Sequence, residues 1–120
     1  KIEKDRVLDI ISTQPKQHQA ILYSIMKLSE SMKSQDGDSS LFTGDIYGLY
    51  KNICGDIHLR PLTQRRVSDI ISELDMLGII NGKVVSKGRY GRTRKISLAI
   101  HTATRNKARD ILEKSFGFAK

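Results

Sequence analysis

Apolar residues recur at helical spacing along most of this chain, with one interruption where they alternate instead. Val7, Leu8, Ile10 and Ile11 predict a short helix over residues 3–12. Gln14-Pro15 breaks it, and Pro15 suits the first position of a new helix, where its missing N–H has no intrahelical use. That helix is expected to run to about Lys33, with Ala20, Ile21, Ile25, Met26 and Leu28 on its buried side. Residues 34–40 are polar and read as a loop. Thr43 is a candidate cap for the next helix, since its hydroxyl can accept from the free amides of a first turn. Ile46, Leu49, Tyr50 and Ile53 mark that helix, which should fade between Gly55 and His58.

Arg60-Pro61-Leu62 reads as a turn, and Thr63 caps a third core helix that Gly78 ends. Val67, Ile70, Ile71, Leu74 and Leu77 form one stripe on it. At ~100° per residue, Arg65, Asp69, Ser72 and Met76 point the other way. Residues 79–87 and 93–100 then read as two strands, rich in β-branched side chains, around the tight tip Gly88-Arg89-Tyr90-Gly91. Thr102 or Thr104 caps a last helix ending near Phe116. The expected fold is α+β, mostly α: a winged helix-turn-helix with a three-helix core, a β-hairpin wing and a C-terminal helix.

Charge sharpens this picture. The net charge is +8, which favours a polyanionic partner only if the charge is segregated. It is: no acid stands between Asp75 and Asp110. That interval holds Lys83, Lys87, Arg89, Arg92, Arg94, Lys95, Arg105, Lys107 and Arg109. A helix with arginines in its first turn, beside a basic hairpin, is the layout of a duplex-DNA reader. The third helix (63–77) is expected in the major groove and the wing (83–96) in the minor groove.

Arg65 is the candidate for a base contact, because it lies in the first turn and faces away from the core. Thr63, Gln64 and Arg66 suit phosphates near the helix N-terminus. Ser68 and Ser72 are short enough for close approach, and Asp69 is expected to pair with a neighbouring arginine. On the wing, Arg89 and Arg92 flank Tyr90, with Gly88 and Gly91 letting the backbone turn. Lys87, Arg94 and Lys95 would neutralise phosphates. The plainer alternatives are a solvated arginine pair and a hairpin whose cations guard its edges. Five cations between Lys87 and Lys95 exceed what edge protection requires.

Other chemistries find little support. His18, His58, His101 and Cys54 do not fall at metal-ligand spacings, so no metal is expected. There is no Gly-rich phosphate loop followed by lysine and no legible catalytic triad or carboxylate pair, so this chain is not expected to be an enzyme or to hold a cofactor. The single cysteine excludes an internal disulfide and suits a reducing cytoplasm. No apolar run is long enough to span a bilayer, and no secretory leader is evident.

The residues Leu62-Thr63-Gln64-Arg65-Arg66-Val67-Ser68-Asp69, then Glu73-Leu74-Asp75-Met76-Leu77-Gly78-Ile79-Ile80, then Ser86-Lys87-Gly88-Arg89-Tyr90-Gly91-Arg92-Thr93 resemble the C-terminal winged-helix domain of archaeal origin-recognition and Cdc-six-type replication initiators. The helix with Ile46-Tyr47 and Leu49-Tyr50-Lys51 resembles it less specifically. The resemblance implies binding of origin DNA in the archaeal nucleoid, with Arg65, Arg66 and Ser68 on the recognition helix and Arg89, Tyr90, Gly91 and Arg92 on the wing. It also implies an AAA+ module using ATP and Mg ahead of this domain, and a part in loading the replicative helicase. Lys1 in place of Met and the missing nucleotide motif point to a piece of a longer protein. Residues 1–13 are then a linker or the end of the AAA+ lid, and residues 14–120 the DNA-binding domain, expected to be monomeric in isolation. The loop at 34–40 is longer than the family pattern, and the stretch after Leu98 lacks its acidic helix start. Two rival readings keep the fold but change the role: a dimeric transcriptional regulator using Ile111, Leu112 and Phe116, or a module docking on the helicase or a paralogous initiator.

Overall fold

The computed structural model describes residues 4–32, 41–86 and 92–118. Among these the order is α1 (Lys4–Thr13), α2 (Lys16–Met32), β1 (Leu41–Phe42), α3 (Thr43–Asp56), α4 (Gln64–Met76), β2 (Ile80–Ser86), β3 (Arg92–Leu98) and α5 (Thr102–Phe116). This is the expected mostly α winged helix, with α2, α3 and α4 as the core helices and β2–β3 as the wing. The expected loop at 34–40 lies outside the described residues.

Pro15 behaves nearly as its chemistry dictates. Gln19 N–H donates to the Pro15 carbonyl at 3.0 Å, so α2 begins one residue later than expected. The larger difference is how deep α2 lies. Its apolar stripe predicted one buried side, yet every residue from Gln19 to Met26 is buried. The helix packs against α3, α4, α5, β1 and β3, which leaves no solvent side for those turns. The side-chain polar groups of Gln19 and Ser24 within this run are bonded, as burial demands, whereas the buried Ser29 hydroxyl and His18 Nδ1 of α2 have no partner among the described residues. Gln19 donates to the Ile11 carbonyl at 2.9 Å and accepts from Ser115 Oγ at 2.7 Å, and Ser24 donates to the Ala20 carbonyl at 2.8 Å. Through Val7, Ile11 and these bonds, α1 joins the same core and packs along α5.

β1 was not foreseen. It pairs antiparallel with β3, Leu41 opposite Ile96 and Phe42 opposite Lys95, giving the sheet order β1-β3-β2. A two-residue strand is too short to show alternation, so only its pairing defines it. That pairing also corrects the first cap. Phe42 holds extended backbone as a strand residue and stands at the N-cap of α3, without a side-chain cap bond, so Thr43 is already helical. A similar shift occurs at α5. His101 is the N-cap, its Nδ1 accepting from Ala103 N–H at 3.3 Å, while Thr102 is in the helix and Thr104 is buried inside it. β2 and β3 are in continuous register from Ile80–Leu98 to Ser86–Arg92.

Candidate nucleic-acid interface

The turn before α4 determines where its arginines stand. α3 ends beyond Ile53 and Cys54 with His58 in the left-handed region (φ 58°) and Leu59 N–H donating to the Cys54 carbonyl at 2.8 Å. From α3, two tyrosines one turn apart reach the backbone of the same residue, Leu62. Tyr47 donates to the Leu62 carbonyl at 3.0 Å, and the Tyr50 hydroxyl accepts from Leu62 N–H at 2.9 Å. Tyr50 in turn donates to Gln17 Oε1, and Gln17 Nε2 donates to the Arg60 carbonyl at 2.8 Å. Burial, foremost, pushes the Tyr50 phenol up to about 12, so it remains a donor at neutral pH. Sequence reading placed Tyr50 only at the core spacing of its helix and Tyr47 only within the family resemblance. The available signal was their spacing, since both face one way, but their target was not legible.

α4 starts from that fixed point. Thr63 Oγ1 accepts from Arg66 N–H at 3.2 Å, as expected of the cap. At the other end Gly78 adopts φ 81°, with its N–H on the Asp75 carbonyl at 3.0 Å and Ile79 N–H on the Leu74 carbonyl at 3.2 Å. This pair of bonds and the left-handed residue form a Schellman ending, which glycine adopts without a Cβ penalty. Val67, Ile70, Ile71 and Leu74 are buried as predicted, and Leu77 is half-buried. Thr63, Gln64, Arg65, Arg66 and Asp69 are exposed together at the start of the helix, while Met76 is 88% exposed at its far end.

The flanks of α4 are committed to other elements. Arg66 Nη1 lies 3.7 Å from Asp69 Oδ2, the pairing expected of Asp69. Glu73 Oε1 lies 2.7 Å from His18 Nε2 of α2, a contact between residues far apart in sequence. On the wing side, Ser68 and Ser72 are half-buried, and the Ser72 hydroxyl donates to the Ser68 carbonyl at 3.4 Å. That same carbonyl accepts from Arg94 Nη1 at 3.1 Å. Arg94 therefore turns toward α4, whereas its neighbour Lys95 takes the other face of the sheet, directly opposite Lys83. Lys87, Gly88, Arg89, Tyr90 and Gly91 lie outside the described residues. Arg92 closes the described ladder opposite Ser86.

Among the described residues, no group of three or more His, Cys, Asp or Glu could hold a metal ion, and no helix is long and apolar enough to cross a membrane. The side chains named for a dimer are used inside the domain. Leu112 is fully buried, Ile111 and Phe116 pack on the core, and Phe116 meets Tyr23 edge-on at 5.5 Å.

The chain matches the family described as CDC6, C terminal winged helix domain, over residues 9–108. An ORC1-type DNA replication protein of Pyrococcus furiosus is 52% identical over 112 residues, covering 93% of this chain and 25% of that protein. ORC1-type DNA replication protein 7 of Halobacterium salinarum is 50% identical over 100 residues, covering 83% of this chain and 18% of the relative. The solved structure of the Aeropyrum pernix ORC1 protein in complex with DNA is similar with a TM-score of 0.77 at 43% identity, over 93% of this chain and 27% of that one. Cdc6p from Pyrobaculum aerophilum shares the fold, with a TM-score of 0.71 at 16% identity over 97% and 26% of the two chains. This chain thus spans about a quarter of the Pyrococcus relative's length.

Proposed function

Because this chain belongs to the family of CDC6 C-terminal winged helix domains, we propose that it binds double-stranded DNA at replication origins, as the DNA-binding domain of an archaeal initiator. α4 enters the major groove and the hairpin (83–96) meets the minor groove. The observation that carries this reading is the capped N-terminus of α4. Thr63, Gln64, Arg65 and Arg66 stand exposed there, on a helix whose start is held by Tyr47 and Tyr50. Free amides of a helix N-terminus favour phosphate, and an outward arginine in the first turn is placed for a base edge. The similar Aeropyrum pernix ORC1 protein was solved in complex with DNA, which lends further support.

In this reading Arg65 reads a base. Thr63, Gln64 and Arg66 hold phosphates, and Ser68 and Ser72 line the side of α4 nearest the wing. Asp69 orients Arg66. Lys87, Gly88, Arg89, Tyr90, Gly91 and Arg92 supply the wing tip, with Lys83 and Lys95 behind it. By the same reading, ATP and Mg, together with any part in helicase loading, are assigned to an AAA+ module of the family's longer proteins.

The test is binding to an origin duplex and a scrambled duplex across a salt series, with wild type and the double variant Arg89→Ala/Arg92→Ala. Both duplexes should bind, and the double variant should weaken both. Its salt slope should become shallower by about 0.9 for each phosphate no longer neutralised. Absence of binding to either duplex at low salt defeats the DNA reading and leaves the basic surface to an acidic protein partner such as the helicase.

A further inference from the structure

Arg94 was expected to neutralise a phosphate, and the structure turns it toward α4, where it meets the Ser68 carbonyl. Resting on the DNA-binding reading above, we propose that Arg94 is a positioning residue. It ties the wing to the recognition helix across a slot held open by Gly82, and thereby sets the angle between the two elements that meet DNA.

The register places Arg94 opposite Val84, with Gly82 opposite Ile96. Side chains alternate along a strand, so Arg94, Gly82 and the buried Ile96 share the core-facing side of the sheet. Gly82 is thus the diagonal neighbour over which Arg94 must pass to reach α4. A Cβ at position 82 would lie 3.2 Å from Arg94 Cδ, 3.6 Å from Arg94 Cγ and 3.2 Å from Asp75 Oδ2. The slot therefore holds the arginine stem on one side and a carboxylate of α4 on the other. Gly82 is not among the glycines with positive φ in the described residues. Room, rather than backbone freedom, is what glycine supplies here.

The far end of the tie is equally placed. Ser68, Ser72 and Asp75 lie on one flank of α4 at helical spacing, the flank nearest the hairpin. Arg94 Nη1 donates to the Ser68 carbonyl at 3.1 Å, with both residues half-buried. A guanidinium donates in a fixed plane, so a bond to a backbone atom of a rigid helix restrains direction as well as distance. An arginine reaching for phosphate needs no contact with the carbonyl of a neighbouring helix and no side-chain-free slot beneath its stem.

The experiment compares wild type, Arg94→Ala and Gly82→Ala, the last of which keeps every charge. In the free domain, amide residual dipolar couplings report how β2 and β3 are oriented relative to α4. Both substitutions should change the hairpin couplings while those within α4 stay constant. Binding is then measured well below each variant's melting temperature. Both variants should lose origin preference over the scrambled duplex by about tenfold, the scale of one mismatched base pair. Their salt slopes should match wild type. Unchanged couplings in both variants overturn the tie, whether or not the domain binds DNA. A slope shallower by about 0.9 in Arg94→Ala alone, with preference intact, makes Arg94 a phosphate contact and also overturns it. Wild type failing to bind DNA defeats the DNA reading separately, because the couplings still decide the tie.

Discussion

Single hydroxyls carry much of the local order at the start of α4. Thr63 satisfies one amide that the first turn leaves open. Thr63→Ala should cost about 1 kcal/mol in urea denaturation. Tyr50 does more, because its fully buried side chain serves both Leu62 N–H and Gln17 through one hydroxyl. The phenols of Tyr50 and Tyr23 are both raised from 10.0 to about 12, chiefly by burial, with the bond to Glu113 adding to the shift of Tyr23. Burial also raises the Cys54 thiol. These shifts favour the protonated folded state. Their contribution is complete below the unfolded values and is lost as pH rises through the folded ones. Stability should therefore fall between about pH 10 and 12, with the thiol adding to the loss. Tyr23→Phe should flatten that decline in denaturation curves taken across the range. Thr63 was legible as a cap because Ser/Thr before a periodic run is a local signal. The task of Tyr50 was not, since its partners lie on two other segments.

At the scale of the element, α4 is the part most fully written in local sequence. Its apolar stripe, its cap and its glycine stop are all where periodicity put them. Gly78→Ala should destabilise by about 1–2 kcal/mol, the cost of a Cβ in the left-handed region. The measurable consequence is a lowered urea midpoint, with near-native spectra in water. The other caps show why local signals fail. Thr43 and Thr102 each sit one residue too late: at α3 the cap is Phe42, held extended by pairing with β3, and at α5 it is His101. Strand pairing outranked the preference of a hydroxyl for the cap. The uniform burial of α2 is another such case. A helix with Gln19 and Ser24 among its inner residues reads as amphipathic, and only neighbours on all sides reveal that both polar groups are bonded internally.

For the whole molecule, the charge of +8 matters through its placement. Two acids of α4 are drawn to its flanks, Glu73 to His18 and Asp75 to the slot beside Arg94. Asp69 stays on the exposed side, paired with Arg66. Arg65 is left exposed in the first turn. Arg65→Ala should reduce the preference for origin over scrambled duplex by about 1–3 kcal/mol. The check is titration of both duplexes at one salt concentration. An equal loss on both would make Arg65 a phosphate contact instead.

Sequence alone determined the helices, the hairpin, the stripe of α4 and the segregation of charge. Each of these depends on periodicity, on turn chemistry or on composition, all of which are local. The tertiary structure decided the rest: which cation is tied to a helix, which tyrosines clamp a turn, which short strand closes the sheet, and that α2 has no outer face along its middle. Those outcomes depend on residues brought together from distant segments. A Cβ missing at Gly82 or a carbonyl at Ser68 acquires its meaning only when Arg94 lies across it.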